Sequence, residues 1–153
     1  MGYGFSTSPS IVTPSADSIC RSMADALEDA GLEPKDVSLI MAHATGTRDG
    51  DTAEAEAICS VCRESIATAS VVSTKAFTGH ECWMSGVSQV VYALIQMQGG
   101  FIAPHPNLTV TDPAARDINI HTTLVEKVSH KAVLCNAFGF GGTNASLILT
   151  PGA

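Results

Sequence analysis

Basic side chains are scarce in this chain: 8 Lys and Arg stand against 15 Asp and Glu, a formal net charge of -7 over 153 residues. A nucleic-acid surface needs clustered Lys and Arg to replace phosphate counterions, and these few are scattered, so that class is excluded. Long apolar runs are missing as well. The most apolar stretch, Trp83 to Met97, is broken by Ser85, Gly86, Ser88, Gln89 and Gln96, falls short of a membrane span and reads as a buried helix. Cysteines are few and odd in number, Cys20, Cys59, Cys62, Cys82 and Cys135, without the spacing of a secreted scaffold. No charged-then-apolar leader precedes the first residues, and a reducing cytoplasmic setting is expected. Cys59-x-x-Cys62 lacks the second ligand pair a zinc site requires, so no metal is expected and both cysteines should pack within a helix.

What is present suffices for one domain. With 45% apolar and 15% charged residues the chain can build a core, and no repeat or linker divides residues 1–153. Gly2 to Thr7 is extended in character and starts abruptly, like a strand cut from something longer. Ile19, Met23, Ala26 and Leu27 form a helical stripe, with Ser15 as the cap and Gly31 as the stop. Val37 to Ala42 is nearly all apolar and predicts a strand buried on both faces. Asp51 to Cys62 reads as helix, Ala69 to Ser73 as a short strand, and Met84 to Gln98 as the long helix ending at Gly99-Gly100. Three extended segments follow, near Ile118 to His121, Ala132 to Asn136 and Ala145 to Leu149. The expected fold class is therefore α/β, a mixed β-sheet covered by helices and closing on strands.

Three polar, glycine-containing segments sit where buried strands stop, the place where ligands gather in open α/β sheets. The first is His43-Ala44-Thr45-Gly46-Thr47, with Gly50-Asp51 and Glu54 behind it. An imidazole beside two hydroxyls can grip a polar ligand, although a Ser/Thr turn leading into a capped helix accounts for the same residues. The second is Ser73-Thr74-Lys75 with Gly79-His80 before the long helix. A histidine at a helix mouth is held neutral by the dipole, but a plain loop with a surface lysine has the same sequence. The third is Asn136-Ala137-Phe138-Gly139-Phe140-Gly141-Gly142-Thr143-Asn144. Such glycine density lets main-chain N–H groups approach a ligand oxygen, and a simple hairpin turn would need fewer residues.

Together, in order and spacing, the three segments resemble the β-ketoacyl synthases of the thiolase superfamily, elongating type I/II, over essentially the whole chain. The family pattern is His-Gly-Thr-Gly/Ser-Thr followed by Gly-Asp, then Ser-x-Lys with Gly-His, then Asn-x-Phe-Gly-Phe-Gly-Gly-x-Asn. Gly100-Phe101-Ile102-Ala103-Pro104 adds to the likeness with the bacterial fatty-acid enzymes. The resemblance implies a thiolase-like half fold and a decarboxylative Claisen condensation of malonyl-carrier protein with an acyl thioester. His43 and His80 would hydrogen-bond the malonyl thioester oxygen, and Lys75 would orient the site electrostatically. Thr45 and Thr47 would bind the pantetheine arm, with Phe138 and Gly139 lining the substrate. The Phe140 N–H would form part of the oxyanion hole while its ring gates the acyl channel. No bound cofactor is implied, since the substrates ride on the phosphopantetheine of acyl carrier protein. The implied partners are that carrier and a second subunit, a homodimer in the full-length enzyme.

The family's nucleophilic cysteine belongs to an N-terminal half absent from these residues, and none of the five cysteines replaces it. Further departures are Ala44 for glycine, Trp83-Met84 for Gly-Ala, and Gln89 for the glutamate that usually supports the lysine. They fit a reshaped acyl pocket, a non-catalytic chain-length-factor-like subunit of a heterodimer, or a stand-alone thiolase-fold binding module. Retention of His43, Lys75 and His80 favours the enzyme. An enzyme half predicts exposed apolar surface where the other half packs. His105, His121 and His130 lie outside the motifs and are expected to be surface or structural residues.

Overall fold

The computed structural model describes residues 1–63 and 65–152. The chain runs β1 (Gly2–Thr7), α1 (Ala16–Ala30), β2 (Leu39–Met41), α2 (Arg48–Cys62), β3 (Ser70–Val72), α3 (Lys75–Thr78), α4 (Ser85–Gly99), β4 (Phe101–Ile102), β5 (Val125–Glu126), β6 (Val133–Gly139) and β7 (Thr143–Leu149). Five strands form one mixed sheet in the order β1-β7-β6-β2-β3, and β4 pairs with β5 in a separate two-stranded ribbon that the sequence does not signal. β2 lies parallel to both β3 and β6, with Met41 level with Val72 and Cys135. Their C-terminal ends therefore share one edge of the sheet.

The sheet separates two apolar layers. On one face Ile40, Val71, Leu134 and Ile148 meet Ile19, Met23 and Leu27 of α1 and Ala57, Ile58 and Cys62 of α2. On the other, Leu39, Met41, Val72, Val133 and Cys135 meet Ala93 of α4. This alternation is why β2 is apolar at every position, as expected for a strand covered on both sides. α1 is capped by Ser15, whose side chain accepts from the Ser18 N–H, and stops at Gly31 in the left-handed conformation, φ 63°. It lies so close to β1 that a Cβ on Gly4 would stand 1.9 Å from the Ser22 carbonyl oxygen.

Several expectations need correction. α2 begins at Arg48, three residues before the predicted Asp51, and Thr47 takes the N-cap position. Ile118 to His121 is not a strand: it contributes one isolated bridge, Asn119 to Ser70. α4 is not a fully buried helix. Ser85, Ser88, Gln89, Ala93 and Gln96 face inward, while Val87, Val91, Leu94 and Ile95 are exposed. Its inward face is the more polar one because it packs small and amide side chains against the strand ends, which leaves the apolar stripe outside. Trp83 and Met84 precede α4 in a 3-10 turn, Cys82–Met84. Cys62 is buried in the core and Cys59 packs against it, as expected of helix residues.

Candidate functional site

All three polar segments emerge from the shared strand edge. His43 follows β2, Ser73 to His80 follow β3, and Phe138 and Gly139 end β6 with Phe140 next in the chain. The imidazoles of His43 and His80 meet edge to face, with ring centroids 5.8 Å apart and planes at 89°. Phe138 lies 5.2 Å from the His43 ring on another side. Residues from three separate segments of the chain thus form one cluster.

The backbone that carries His43 is held by a buried carboxylate. Glu54, only 3% exposed, accepts from the His43 N–H and the Ala44 N–H, both at 2.8 Å, and from the Asn136 amide at 3.1 Å. Burial pushes the Glu54 carboxyl up, and these three donors oppose the shift. Asn136 accepts in turn from the Ser146 hydroxyl at 2.9 Å, which ties the site to the sheet interior. Asp51 accepts from the Gly46 N–H at 3.2 Å, where φ is 81° and glycine suits the turn. The sequence names Glu54 only as a residue behind the first motif. Its signal is its place on the buried stripe Glu54-Ile58-Cys62, where a charged side chain requires partners.

The two imidazoles are prepared differently. Burial, with Lys75 and His80 adding positive charge nearby, pushes the His43 imidazole down to about 3, so it is neutral at physiological pH. His80 is exposed, and its Nδ1 accepts from the Cys82 N–H at 2.9 Å. In the neutral ring that bond leaves the proton on Nε2, free to donate. This replaces the helix-dipole account: α4 begins five residues beyond His80, past the 3-10 turn, and the dipole acts only near the first turn. Cys82 is strained, with φ 52°, and its Sγ faces the His80 carbonyl at 3.8 Å rather than an imidazole nitrogen.

Lys75 donates to Gln89 Oε1 at 3.4 Å, and Gln89 Nε2 donates to the Met41 and Ala42 carbonyls at 3.0 and 2.8 Å. The amide thus replaces the expected carboxylate with an acceptor towards the lysine and donors towards the strand end. Burial pulls the Lys75 ammonium down, and Glu54, Glu81 and Asp51 pull it back up. Thr45 and Thr47 face each other across 3.2 Å between hydroxyl oxygens.

The third segment is a hairpin turn after all, with Gly139 opposite Thr143 and Phe140-Gly141-Gly142 between them. The turn is tied down by Gly141 N–H donating to Ile11 O at 2.8 Å, so that amide is not available to a ligand. Phe140 is 87% exposed, and its ring is not among the ring contacts that join His43, His80 and Phe138. Gly139 leaves room beside the Thr143 hydroxyl, 2.8 Å from where a Cβ would stand. A surface depression of about 590 Å³ beside Arg48, Asp49, Asp112 and Arg116 contains none of these residues.

Residues 2–109 match the family described as "Beta-ketoacyl synthase, C-terminal domain". The chain belongs to that family. This ketosynthase domain is 38% identical over 150 residues to 3-oxoacyl-[acyl-carrier-protein] synthase 1 of Buchnera aphidicola subsp. Baizongia pistaciae, covering 97% of the chain and 36% of the relative. It is also 38% identical over 148 residues to clavatol synthase claF of Penicillium crustosum, covering 92% of the chain and 6% of that protein. Among solved structures, the ishigamide ketosynthase/chain length factor superposes with a TM-score of 0.90 at 32% identity, covering 99% of the chain and 37% of its own. The domain has the thiolase-like half fold of these enzymes, and it spans little more than a third of the length of the synthase 1 relative.

Proposed function

We propose that the chain supplies the histidine half of a carrier-protein-dependent condensing site, in which malonyl thioester loses carbon dioxide and the resulting carbanion attacks an acyl thioester. The observation that carries this reading is the His43–His80 pair, two imidazoles 5.8 Å apart on separate strand exits. Neutral His43 and His80 Nε2–H act as donors to the thioester oxygen, stabilising the enolate as the C–C bond to the carboxylate breaks. Lys75 contributes positive charge beside them, and Thr45 with Thr47 receives the pantetheine arm near Phe138 and Gly139. The Phe140 N–H serves as an oxyanion donor and its ring as the gate to the acyl channel.

Acyl carrier protein is the partner suggested by the name of the synthase 1 relative. A cytoplasmic setting goes with this reading; among the described residues no helix is long and apolar enough to cross a membrane. In the whole protein the domain sits in a homodimer, and the substrates need no other cofactor. A chain-length-factor-like role is the second reading, favoured by Trp83, whose large, fully exposed ring stands three residues from His80.

The test is carbon dioxide release from malonyl-carrier protein. The chain should release it, and His43→Ala or His80→Ala should lower the rate by about 10²-fold or more. Equal rates in wild type and both variants would reject the reading. Condensation by these residues alone should be negligible, because among the described residues no cysteine is paired with a base and no acyl-enzyme forms.

A further inference from the structure

We infer that His105 is a positioning residue that sets the His43 segment through Ser73. The imidazole Nε2 of His105 accepts from the Ser73 backbone N–H at 3.0 Å. Ser73 is 5% exposed, and its hydroxyl donates to the Ala44 carbonyl at 3.2 Å. Ala44 and His43 share the Glu54 carboxylate through their N–H groups. Lys75 lies two residues beyond Ser73 at the start of α3. Ser73 therefore joins the exit of β3 to the exit of β2 through its hydroxyl, and His105 holds its backbone amide.

His105 is itself prepared for the task. It lies between Pro104 and Pro106, so the flanking φ angles are fixed and its own backbone is restricted to extended conformations. Its N–H donates to the His121 carbonyl at 2.7 Å, and the His121 ring reaches the Ser70 hydroxyl at 3.0 Å. The connection after β4 is thereby clamped to β3 at both ends of that short strand. An imidazole in this place accepts only while neutral. Protonation puts N–H against N–H and releases Ser73. Burial holds the His105 imidazole below its ordinary value, and the Val71 backbone pulls weakly the other way, with no charged side chain contributing. His121 meets it through a backbone carbonyl rather than through its ring.

The inference depends on the condensing-site reading only for its kinetic arm. Amide NMR of the 153-residue chain during a pH titration should show Ser73, Ala44 and His43 shifting together with the His105 ring, below 6.5 and apart from the step at about 3 that belongs to His43. His105→Gln places an uncharged carbonyl near the former Nε2, so it should keep the high-pH positions and abolish the shared step. His105→Phe should displace all three amides at every pH and lower the turnover of malonyl-thioester decarboxylation by about tenfold with little change in KM. The inference is overturned if Ser73 alone moves while Ala44 and His43 stay, or if the glutamine variant retains the step. Should wild type show no decarboxylation, the functional reading fails while the amide titration still decides the role of His105. If the phenylalanine variant does not fold, the glutamine variant alone gives the decision.

Discussion

His43 and Glu54 meet across one pair of backbone hydrogen bonds, yet burial drives their ionisation in opposite senses. The folded protein holds His43 neutral down to about 3, whereas the unfolded chain takes up a proton near 6.5. A depressed histidine stabilises the fold fully above 6.5, and that contribution falls away as the pH drops towards 3. Glu54, raised by burial, works the other way, gaining stability as the solution becomes more acid. Comparing wild type with His43→Asn isolates the histidine. Urea titrations from pH 7 to pH 4 should show wild type losing stability more steeply than the variant, by about one bound proton. Parallel curves would mean that His43 is not held neutral. Glu54 is the more consequential residue for the backbone. In Glu54→Gln one of the two oxygens that accept from His43 and Ala44 becomes a donor, leaving at least one buried N–H facing an NH2 group. The expected cost is about 1–3 kcal/mol in urea unfolding, larger than for a surface Glu→Gln change.

At the scale of elements, β1 and α1 approach more closely than any side chain permits. A Cβ on Gly4 would lie 1.9 Å from the Ser22 carbonyl oxygen and 2.5 Å from the Ala26 nitrogen, both backbone atoms that cannot turn aside. Gly4→Ala should therefore destabilise by about 1–3 kcal/mol or more, with an unchanged denaturant slope if the native compactness survives. The helix α1 and its caps are legible in the sequence because every determinant is local: a periodic stripe, a serine before it and a glycine after it. The three polar segments are legible for a related reason, since each directly follows or ends an apolar strand. What the sequence conceals depends on partners far away in the chain. The α4 residues look like a buried helix, but Gln89 and Gln96 face inward while Val87 and Val91 face out. Apolar content alone does not say which face is covered. Likewise Glu54 and His105 acquire their roles only when β2, β3 and β6 align at one edge.

For the molecule as a whole, the outer face of α4 is the feature that the described residues leave unexplained by their own packing. Met84, Val87, Val91 and Leu94 recur at intervals of three, four and three, with Ile95 beside them, and all are exposed. That is the spacing of a helix seam, not of isolated surface residues. The expected exposed apolar surface is thus present, and Trp83, within the turn before α4, is exposed as well. A face of this kind drives association in water whenever a matching face is within reach. The chain alone should therefore self-associate as its concentration rises, by a second copy covering the seam. Trp83 is the sole tryptophan and is fully exposed, so its fluorescence reports the event directly. Emission should match hydrated indole at low concentration and move to shorter wavelength as dimers form, in step with sedimentation. Val87→Lys with Val91→Lys places two charges on the seam. Because both positions are exposed, the double variant should unfold within about 0.5 kcal/mol per site of wild type while staying monomeric. Blue-shifted, concentration-independent emission in that variant would mean that Trp83 is covered by its own chain and that the seam is not the associating face.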